Sequence, residues 1–252
     1  MENTSFEDVL IRSRITILDM LEDRGYNTKP YRKLSGEDIV KLRASSDTPE
    51  ALRMDFTHKS EPERKAIVHY LLDNIKTRVG SGEITNKLLM SMDDDAAGKN
   101  PLAGVDPKTT EVIIVYRMTD RIVVDKGQAD KVTGENTDSY DKAALDAWMR
   151  AAPTPENPSA LLNFRLQFWP IQRIVVNPMH HVLQPKFEIV PQEQEKQILK
   201  EWCARSKLQF PMIKFHADPV ARYLGLIPGQ LVKITSASPT AGEYVKYRVC
   251  VP

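Results

Sequence analysis

Two groups of side chains in this 252-residue chain have types that could bind a metal ion. Asp93, Asp94 and Asp95 are consecutive carboxylates, the ligand type of hard cations, and His180 and His181 are consecutive imidazoles, a ligand type of zinc. Three adjacent carboxylates converge on one cation only in a shaped loop that supplies further ligands. The two histidines are predicted on a strand, where neighbouring side chains point to opposite faces. We therefore predict no metal site, and hydrogen-bonding roles for both histidines.

Two acid-x-Lys triplets raise the question of nuclease chemistry. They are Glu-Arg-Lys at residues 63–65 and Asp-Pro-Lys at residues 106–108. Such a triplet on a strand, with an upstream Asp, can hold a metal ion that activates water. Here the first triplet is predicted at a helix start, because Ser60 and Glu63 have capping-box spacing, and the second precedes a turn. Neither is predicted on a strand, so a nuclease is the less favoured hypothesis.

Other catalytic signatures are missing from the sequence. It contains no glycine-rich phosphate loop, no nucleophile elbow and no Cys-x-x-Cys pair. The two cysteines, Cys203 and Cys250, have no paired spacing, so they either indicate a reducing compartment or carry no information about it, and neither is predicted to be catalytic. We predict no catalytic, metal-binding or cofactor-binding residue. The residues alone favour a protein that positions other molecules.

Charge and composition indicate two modules. The net charge is +1, but residues 177–252 carry 10 Lys+Arg against 6 Asp+Glu, which leaves a net charge of −3 for residues 1–176. No apolar run approaches the roughly 20 residues of a membrane span, and the acidic N-terminus is unlike a signal peptide. We expect a soluble, intracellular α+β protein with domains at residues 1–176 and 177–252.

The elements of the first module follow from periodicity and capping signals. Thr4 and Glu7 form a capping box for a helix that ends at Gly25, and Ser35 precedes a second helix. The apolar, β-branched run at residues 111–118 is predicted as a central strand. The remaining predictions are a short strand at 52–56, a helix at 66–72, a strand at 121–124, a helix at 141–151, a linker at 153–158 and a strand at 161–176.

The second module has the clearest local signals. Asp218 is an N-cap, Pro219 suits the first helical position, and Gly225 can end the helix in the left-handed conformation. Pro and Gly at the centre of residues 227–230 predict a type II turn. We expect strands at 231–235 and 244–251 to pair, the second half-buried with alternating faces, and an amphipathic helix around Trp202.

These residues also carry a family resemblance. Residues 218–226, Asp-Pro-Val-Ala-Arg-Tyr-Leu-Gly-Leu, together with Thr-Ala-Gly-Glu-Tyr at 240–244, resemble the end of the fifth-largest subunit of eukaryotic nuclear RNA polymerases and of its shorter archaeal counterpart. The Asn-x-x-His-His-x-Leu-x-Pro-Lys segment at 177–186 and Leu-x-x-Pro-x-Ile at 208–213 are similar to the same family. The resemblance covers residues 177–252. The Asp-Arg-Gly-Tyr at residues 23–26 resembles the end of the first helix in eukaryotic members.

The resemblance implies which residues matter. The residues it places in the assembly-domain motif and subunit interface are Asn177, His180, His181, Pro185, Lys186, Pro211, Ile213, Asp218, Pro219, Arg222, Tyr223, Gly225, Gly229, Lys233, Gly242, Tyr244, Tyr247 and Arg248. The motif it implies in the first module is Asp23, Arg24, Gly25 and Tyr26.

The resemblance also implies a function without catalysis in this chain. The second module would be a small α+β assembly domain with a mixed sheet, docked on the largest polymerase subunit and contacting other subunits. The first would be a restriction-endonuclease-like α/β sandwich that forms the lower jaw near downstream duplex DNA, which it would bind weakly and without sequence preference. The location would be the nucleus for a cellular protein, and the host cytoplasm or virion for a viral one. A free-standing adaptor or nucleic-acid-binding protein is the alternative.

Three departures from the family pattern remove charges. Phe187 stands where the family has His, and Met212 stands where it has Arg. The segment 233–239, Lys-Ile-Thr-Ser-Ala-Ser-Pro, lacks the Arg and Glu of the family's Lys-Ile-x-Arg-x-Ser-Glu. We expect the partner surface to have changed at these positions.

Overall fold

A computed structural model describes residues 5–44, 52–72, 109–116, 165–215, 217–238, 240 and 242–252. The chain divides into two compact units, Met1–Val176 and Asn177–Pro252. Within the described residues, no helix is both long enough and apolar enough to cross a lipid bilayer.

The N-terminal unit begins with three helices whose ends are set by local side chains. Helix α1 spans Phe6–Asp23, and its cap is Ser5, whose Oγ accepts the Asp8 N–H at 3.2 Å. The expected cap, Thr4, lies outside the described residues. Helices α2 and α3 span Lys29–Arg32 and Gly36–Ala44. The predicted cap of α3 is confirmed, because Ser35 and Asp38 exchange backbone-to-side-chain hydrogen bonds of 3.0 and 3.2 Å.

A four-stranded mixed sheet forms the other part of this unit. Its strands are β1 (Met54–Thr57), β2 (Lys65–Leu71), β3 (Thr110–Tyr116) and β4 (Arg165–Pro170), in the order β1-β2-β3-β4. β1 runs antiparallel to β2, and the other two pairs are parallel. The predicted central strand is confirmed, since β3 lies between two neighbours and all seven of its residues are buried.

The helix predicted at residues 66–72 is wrong, because this segment is strand β2. Its apolar run includes Ile67, Val68 and Tyr70, all buried, and it pairs with β3 so that Val68 lies opposite Ile113. A parallel strand buried on both faces has a continuous apolar run, which periodicity alone does not distinguish from a buried helix. The capping-box prediction for Ser60 and Glu63 is therefore also wrong.

The strand predicted at residues 161–176 is shorter in the structure. β4 ends at Pro170, and a 3₁₀ helix, Ile171–Ile174, follows it and packs against α1. Ile171 and Ile174 are buried there. The predicted elements at 121–124, 141–151 and 153–158, and the acidic groups at 93–95 and 106–108, lie outside the described residues.

The C-terminal unit contains a second mixed sheet and two helices. Its elements are β5 (Lys186–Ile189), α4 (Gln192–Glu201), β6 (Met212–Lys214), α5 (Pro219–Leu224), β7 (Leu231–Ser238) and β8 (Gly242–Val251). The sheet order is β5-β7-β8-β6. β7 pairs antiparallel with both β5 and β8, whereas β6 pairs parallel with β8. The expected mixed sheet and the expected pairing of the last two strands are confirmed.

Both faces of this sheet are covered at one end. On one face Leu231 and Val249 pack with Ile198 of α4, and on the other Val232 and Cys250 pack in a cluster that includes α5. The expected alternation along β8 is therefore lost at its end, where Val249 and Cys250 are both buried. The reason is tertiary, since α5 covers the face that the alternation had left to solvent.

The local signals around α5 are confirmed. Asp218 Oδ1 accepts the N–H groups of Val220 and Ala221 at 2.8 and 3.0 Å, and Gly225 has φ +63° directly after the helix. The Gln230 N–H bonds the Ile227 carbonyl at 3.1 Å, as a β-turn requires. Gly229 has φ +93°, which matches the third position of a type II turn.

Cys203 occupies a position that suits glycine. Its φ is 50°, and it is the only described residue other than glycine with a positive φ. The Ala204 N–H bonds the Leu199 carbonyl at 2.8 Å and the Cys203 N–H bonds the Lys200 carbonyl at 3.2 Å, so α4 ends in a Schellman motif. This motif normally places glycine where Cys203 stands.

We expect Cys203→Gly to stabilise the C-terminal unit by about 1 kcal/mol, because it relieves the left-handed strain at an exposed site. Urea unfolding of the full chain would measure the change. Gly225→Val is the control, expected to lower stability by at least about 1 kcal/mol at the corresponding position after α5. A loss of stability in Cys203→Gly would show that the thiol contributes more than the backbone strain costs.

Candidate functional site

Two residues of the Asp-Arg-Gly-Tyr motif, Arg24 and Tyr26, form buried contacts between the end of α1 and the sheet, whereas Asp23 is exposed. The Arg24 guanidinium donates to the Glu111 carboxylate on β3 and to Gln167 Oε1 on β4, the latter at 3.1 Å. The Tyr26 hydroxyl donates to Glu111 Oε2 at 3.2 Å. The side chains of Arg24 and Glu111 are 4% and 2% exposed. The Glu111 charge is thus balanced internally, and neither side chain offers a surface to DNA or to a cation.

The acid-x-Lys triplet at residues 63–65 lies on the surface. Glu63 and Lys65 are both exposed, and Lys65 is the first residue of β2, so the prediction that this triplet lies off a strand is wrong for its lysine. Glu63 lies in the turn before the strand. Within the described ranges, no three His, Cys, Asp or Glu side chains are grouped as metal ligands.

A second arginine of α1 is buried in a different environment. Arg14 is 3% exposed, and its Nε and Nη1 atoms have no hydrogen-bond partner within the part of the chain that the structure describes. Its guanidinium carbon lies 5.8 Å from the centre of the Tyr31 ring. Burial lowers the Arg14 pKa and raises the pKa of nearby Tyr70 to about 12. Arg14 is therefore a matched contrast to Arg24, whose charge has a carboxylate partner.

The first motif of the C-terminal unit begins with hydrogen bonds that Asn177 makes to Met179 and Tyr223, which we call the Asn177 bracket. Asn177 Oδ1 accepts the Met179 N–H at 2.9 Å, and Asn177 Nδ2 donates to the Tyr223 hydroxyl of α5 at 3.2 Å. His180 lies in a 3₁₀ helix, Pro178–His180, and His181 follows it, so the strand prediction for this pair is wrong. Asn177 Nδ2 lies 3.4 Å from His180 Nε2, and His181 Nδ1 accepts the Leu183 N–H at 3.2 Å. Both histidines have the predicted hydrogen-bonding role.

Burial separates the motif residues into framework and surface. The buried positions, which support the fold and have little surface to offer a partner, are Asn177, Ile213, Arg222, Tyr223 and Gly225. The exposed or half-exposed positions are His180, His181, Pro185, Lys186, Pro211, Asp218, Pro219, Gly229, Lys233, Gly242, Tyr244, Tyr247 and Arg248. Only this second group can supply a subunit interface.

Strand register brings several surface residues onto one face of the sheet. Lys233 of β7 lies between Glu188 of β5 and Tyr247 of β8. Lys186 Nζ lies 2.6 Å from Glu188 Oε1, and this hydrogen bond lowers the Glu188 pKa. Lys233 Nζ lies 3.9 Å from Glu188 Oε2. We call Lys186, Glu188 and Lys233 the charged band.

An aromatic cluster adjoins the charged band on this face. The rings of Trp202, Phe210 and Tyr247 contact one another, with centroids 5.5 to 6.1 Å apart. Trp202 is 48% exposed, whereas its helical spacing placed it on the inner face of α4. It is the C-cap residue of α4, and its ring packs at the rim of the cluster that contains Ile198 and Phe210. Burial raises the Tyr247 pKa.

The edge of the sheet next to this cluster was not predicted. Met212 pairs with Val249 and thus shares the face of Tyr247, and it is 57% exposed. Lys214, two residues on, is exposed on the same face. A three-residue strand is too short for periodicity to identify, so only the alternation of Met212, Ile213 and Lys214 could have indicated it.

Comparisons with known proteins identify the C-terminal unit. Residues 176–250 match the family described as RNA polymerase Rpb5, C-terminal domain. These residues form an Rpb5 C-terminal domain. The chain is thus related to the fifth subunit shared by RNA polymerases. The domain includes the Asn177 bracket, the charged band and the aromatic cluster.

Three relatives indicate how far the similarity extends. The DNA-directed RNA polymerases I, II, and III subunit rpabc1 of Dictyostelium discoideum is 42% identical over 78 residues, 31% of this chain and 39% of the relative. The corresponding subunit of Caenorhabditis elegans is 40% identical over 78 residues, 31% of this chain and 36% of the relative. The DNA-directed RNA polymerase V subunit 5C of Arabidopsis thaliana is 28% identical over 146 residues, 58% of this chain and 61% of the relative. The matches span less than two thirds of each relative.

Proposed function

We propose that this chain is a non-catalytic subunit of a multisubunit DNA-directed RNA polymerase, with Asn177–Pro252 docking on the largest subunit. The observation that carries the proposal is the Rpb5 C-terminal domain at residues 176–250. The aromatic cluster supports it, because exposed tryptophan and tyrosine are enriched in protein interfaces, and the charged band could form part of the polar rim. Phosphodiester transfer would belong to the large subunits.

The N-terminal unit is proposed as the lower jaw beside downstream DNA, with a restriction-endonuclease-like sandwich fold. The Arabidopsis similarity covers 146 residues, more than the C-terminal unit contains, so it reaches into this unit. The mixed sheet and α1 are compatible with such a sandwich. The protein would act in the nucleus in a cellular setting, and in the host cytoplasm or virion in a viral one.

The purified chain is expected to bind duplex DNA weakly and without sequence preference, with a Kd above about 1 μM at physiological salt. The reason is that residues 1–176 have a net charge of −3, and phosphate contacts by scattered cations carry no base information. Fluorescence anisotropy with two unrelated duplexes would measure the affinity. Submicromolar binding to one sequence alone would contradict the jaw proposal.

The proposed function is tested by tagging the full chain in its source cells and identifying co-purified proteins by mass spectrometry. We expect the largest polymerase subunit among them. A fragment of residues 177–252 should retain this association, and a fragment of residues 1–176 should lose it. Full chain that purifies without any polymerase subunit would overturn the proposal and favour a free-standing adaptor. Docking through residues 1–176 alone would overturn the proposal that residues 177–252 dock on the polymerase.

A further inference from the structure

Strand β6 has an open edge in the sheet of the C-terminal unit. It is the last strand in the order β5-β7-β8-β6. The Pro211 carbonyl accepts the Val249 N–H at 2.9 Å, and the Phe215 N–H donates to the Val251 carbonyl at 3.1 Å. In a parallel ladder alternate residues bond the neighbouring strand, so Pro211, Ile213 and Phe215 face β8. The peptide groups of Met212 and Lys214 consequently point away from the sheet.

Most of these outward groups have no hydrogen-bond partner among the described residues. The Lys214 carbonyl accepts the Asp218 N–H at 3.1 Å. Within the described residues, no hydrogen bond is made by the Met212 N–H, the Met212 carbonyl or the Lys214 N–H. The Met212 carbonyl and the N–H groups of Met212 and Lys214 therefore have the spacing at which an added strand would form hydrogen bonds with them.

The side chains beside this edge restrict what can pair with it. Met212 is 57% exposed, and Lys214 is exposed on the same face and makes no ion pair within the described ranges. A strand paired with β6 would place residues opposite Met212 and Lys214 two positions apart and on one face. An apolar residue suits the first and an acidic residue the second.

We infer that the outer edge of β6 binds an extended segment of the largest polymerase subunit, which adds a fifth strand and carries an apolar and an acidic residue two positions apart. This inference rests on the proposed function. A second copy of the chain is a poorer occupant, because a three-residue strand with a lysine is the kind of edge that resists self-pairing. Backbone hydrogen bonds would hold the added strand, and the side chains of Met212 and Lys214 would select which sequence binds.

The first experiment measures hydrogen exchange at the backbone amides of β6. The full chain is compared alone and bound to the reconstituted largest subunit by hydrogen exchange at single-residue resolution. We expect exchange of the Met212 or Lys214 amide, whichever faces an acceptor of the added strand, to slow by about tenfold or more, since a bonded amide exchanges only on opening. Exchange at both amides unchanged in a complex that forms would overturn strand addition while leaving the proposed function intact. Failure of the wild-type chain to bind would instead count against the proposed function, and the inference would fall with it.

The second experiment measures how side-chain substitutions on β6 change binding to the largest subunit. Lys214→Glu is expected to weaken binding to the largest subunit by about five- to tenfold, because it replaces an attractive cross-strand charge pair by a repulsive one. Lys196→Glu, the same change at an exposed position of α4, is the control and should leave binding unchanged. Met212→Pro removes an outward N–H together with the exposed Met212 side chain, whereas Ile213→Pro breaks the bonds to β8 and reports on folding.

A photo-crosslinker at residue 212 identifies the occupant. We expect it to label a segment of the largest polymerase subunit with an acidic residue two positions from an apolar one. Labelling of a second copy of the chain would overturn the inference, and so would equal binding by Lys214→Glu and Lys196→Glu.

Discussion

Arg24→Met should destabilise the N-terminal unit by about 3–5 kcal/mol, because it removes a buried cation that pairs with the Glu111 carboxylate. The two side chains are 4% and 2% exposed, so water cannot take over the role of the guanidinium. The Tyr26 hydroxyl also donates to Glu111, but it carries no charge. Urea unfolding followed by tryptophan fluorescence would measure the loss, with Trp169 as a reporter because its Nε1 donates to Gln167 in the same cluster.

Two further variants distinguish the charge from the volume of Arg24. Arg14→Met makes the same replacement within α1, the helix that Arg24 caps, but no carboxylate bonds Arg14 within the described residues, so we expect unchanged or increased stability. The double variant Arg24→Met/Glu111→Leu should recover at least half of the loss, since no uncompensated charge remains. If Arg24→Met and Arg14→Met had equal effects, the buried ion pair would not be the cause.

Gly25→Ala should cost about 2–4 kcal/mol, because two effects act at one position. Gly25 has φ +91°, a conformation that costs roughly 1–2 kcal/mol with a side chain present. An added Cβ would also lie 2.6 Å from Nε2 of the His58 ring. That ring stacks edge-on against Tyr26, and its Nδ1 accepts the Ser60 and Glu61 N–H groups at 3.3 and 3.1 Å. Moving the ring therefore disturbs the end of α1 and the turn before β2, which thermal unfolding of the full chain would report.

Gly242→Ala separates the two effects. Gly242 also has a positive φ, +72°, but nothing lies within 4 Å of its added Cβ, so we expect only about 1 kcal/mol. In a double-mutant cycle, His58→Ala should remove the additional cost at Gly25. Equal losses in Gly25→Ala and Gly242→Ala would mean that His58 moves aside freely and that backbone conformation alone requires the glycine.

Local chemistry was sufficient where an element is specified within a few residues. The Asp218 cap, the Gly225 terminus and the turn at Gly229 each involve atoms close in sequence, and the structure contains all three. The same holds for Ser35 at the start of α3. Hydrogen bonds over three or four residues form in the same way in many folds, which is why sequence patterns predict them.

Tertiary pairing decided what local patterns left ambiguous. Residues 65–71 form a strand because β3, about 45 residues later, supplies a parallel partner, and no local signal contains that partner. Likewise Arg24 pairs with Glu111, 87 residues away, so the sequence motif alone could not indicate that this arginine is internal. Both features depend on long-range contacts, which periodicity and capping rules do not represent.

The same distinction holds for the candidate site. The sequence by itself determined the motif residues of the Rpb5 C-terminal domain, and with them the relation to a polymerase subunit. Only the tertiary structure decided which of them reach the surface, because burial depends on what packs over each residue. Tyr223 is 1% exposed and its hydroxyl accepts a hydrogen bond from Asn177 Nδ2, whereas no described residue covers the outer edge at Met212. The open edge of β6 arises from the order of strands in the sheet, and that order is fixed by contacts among segments distant in the chain.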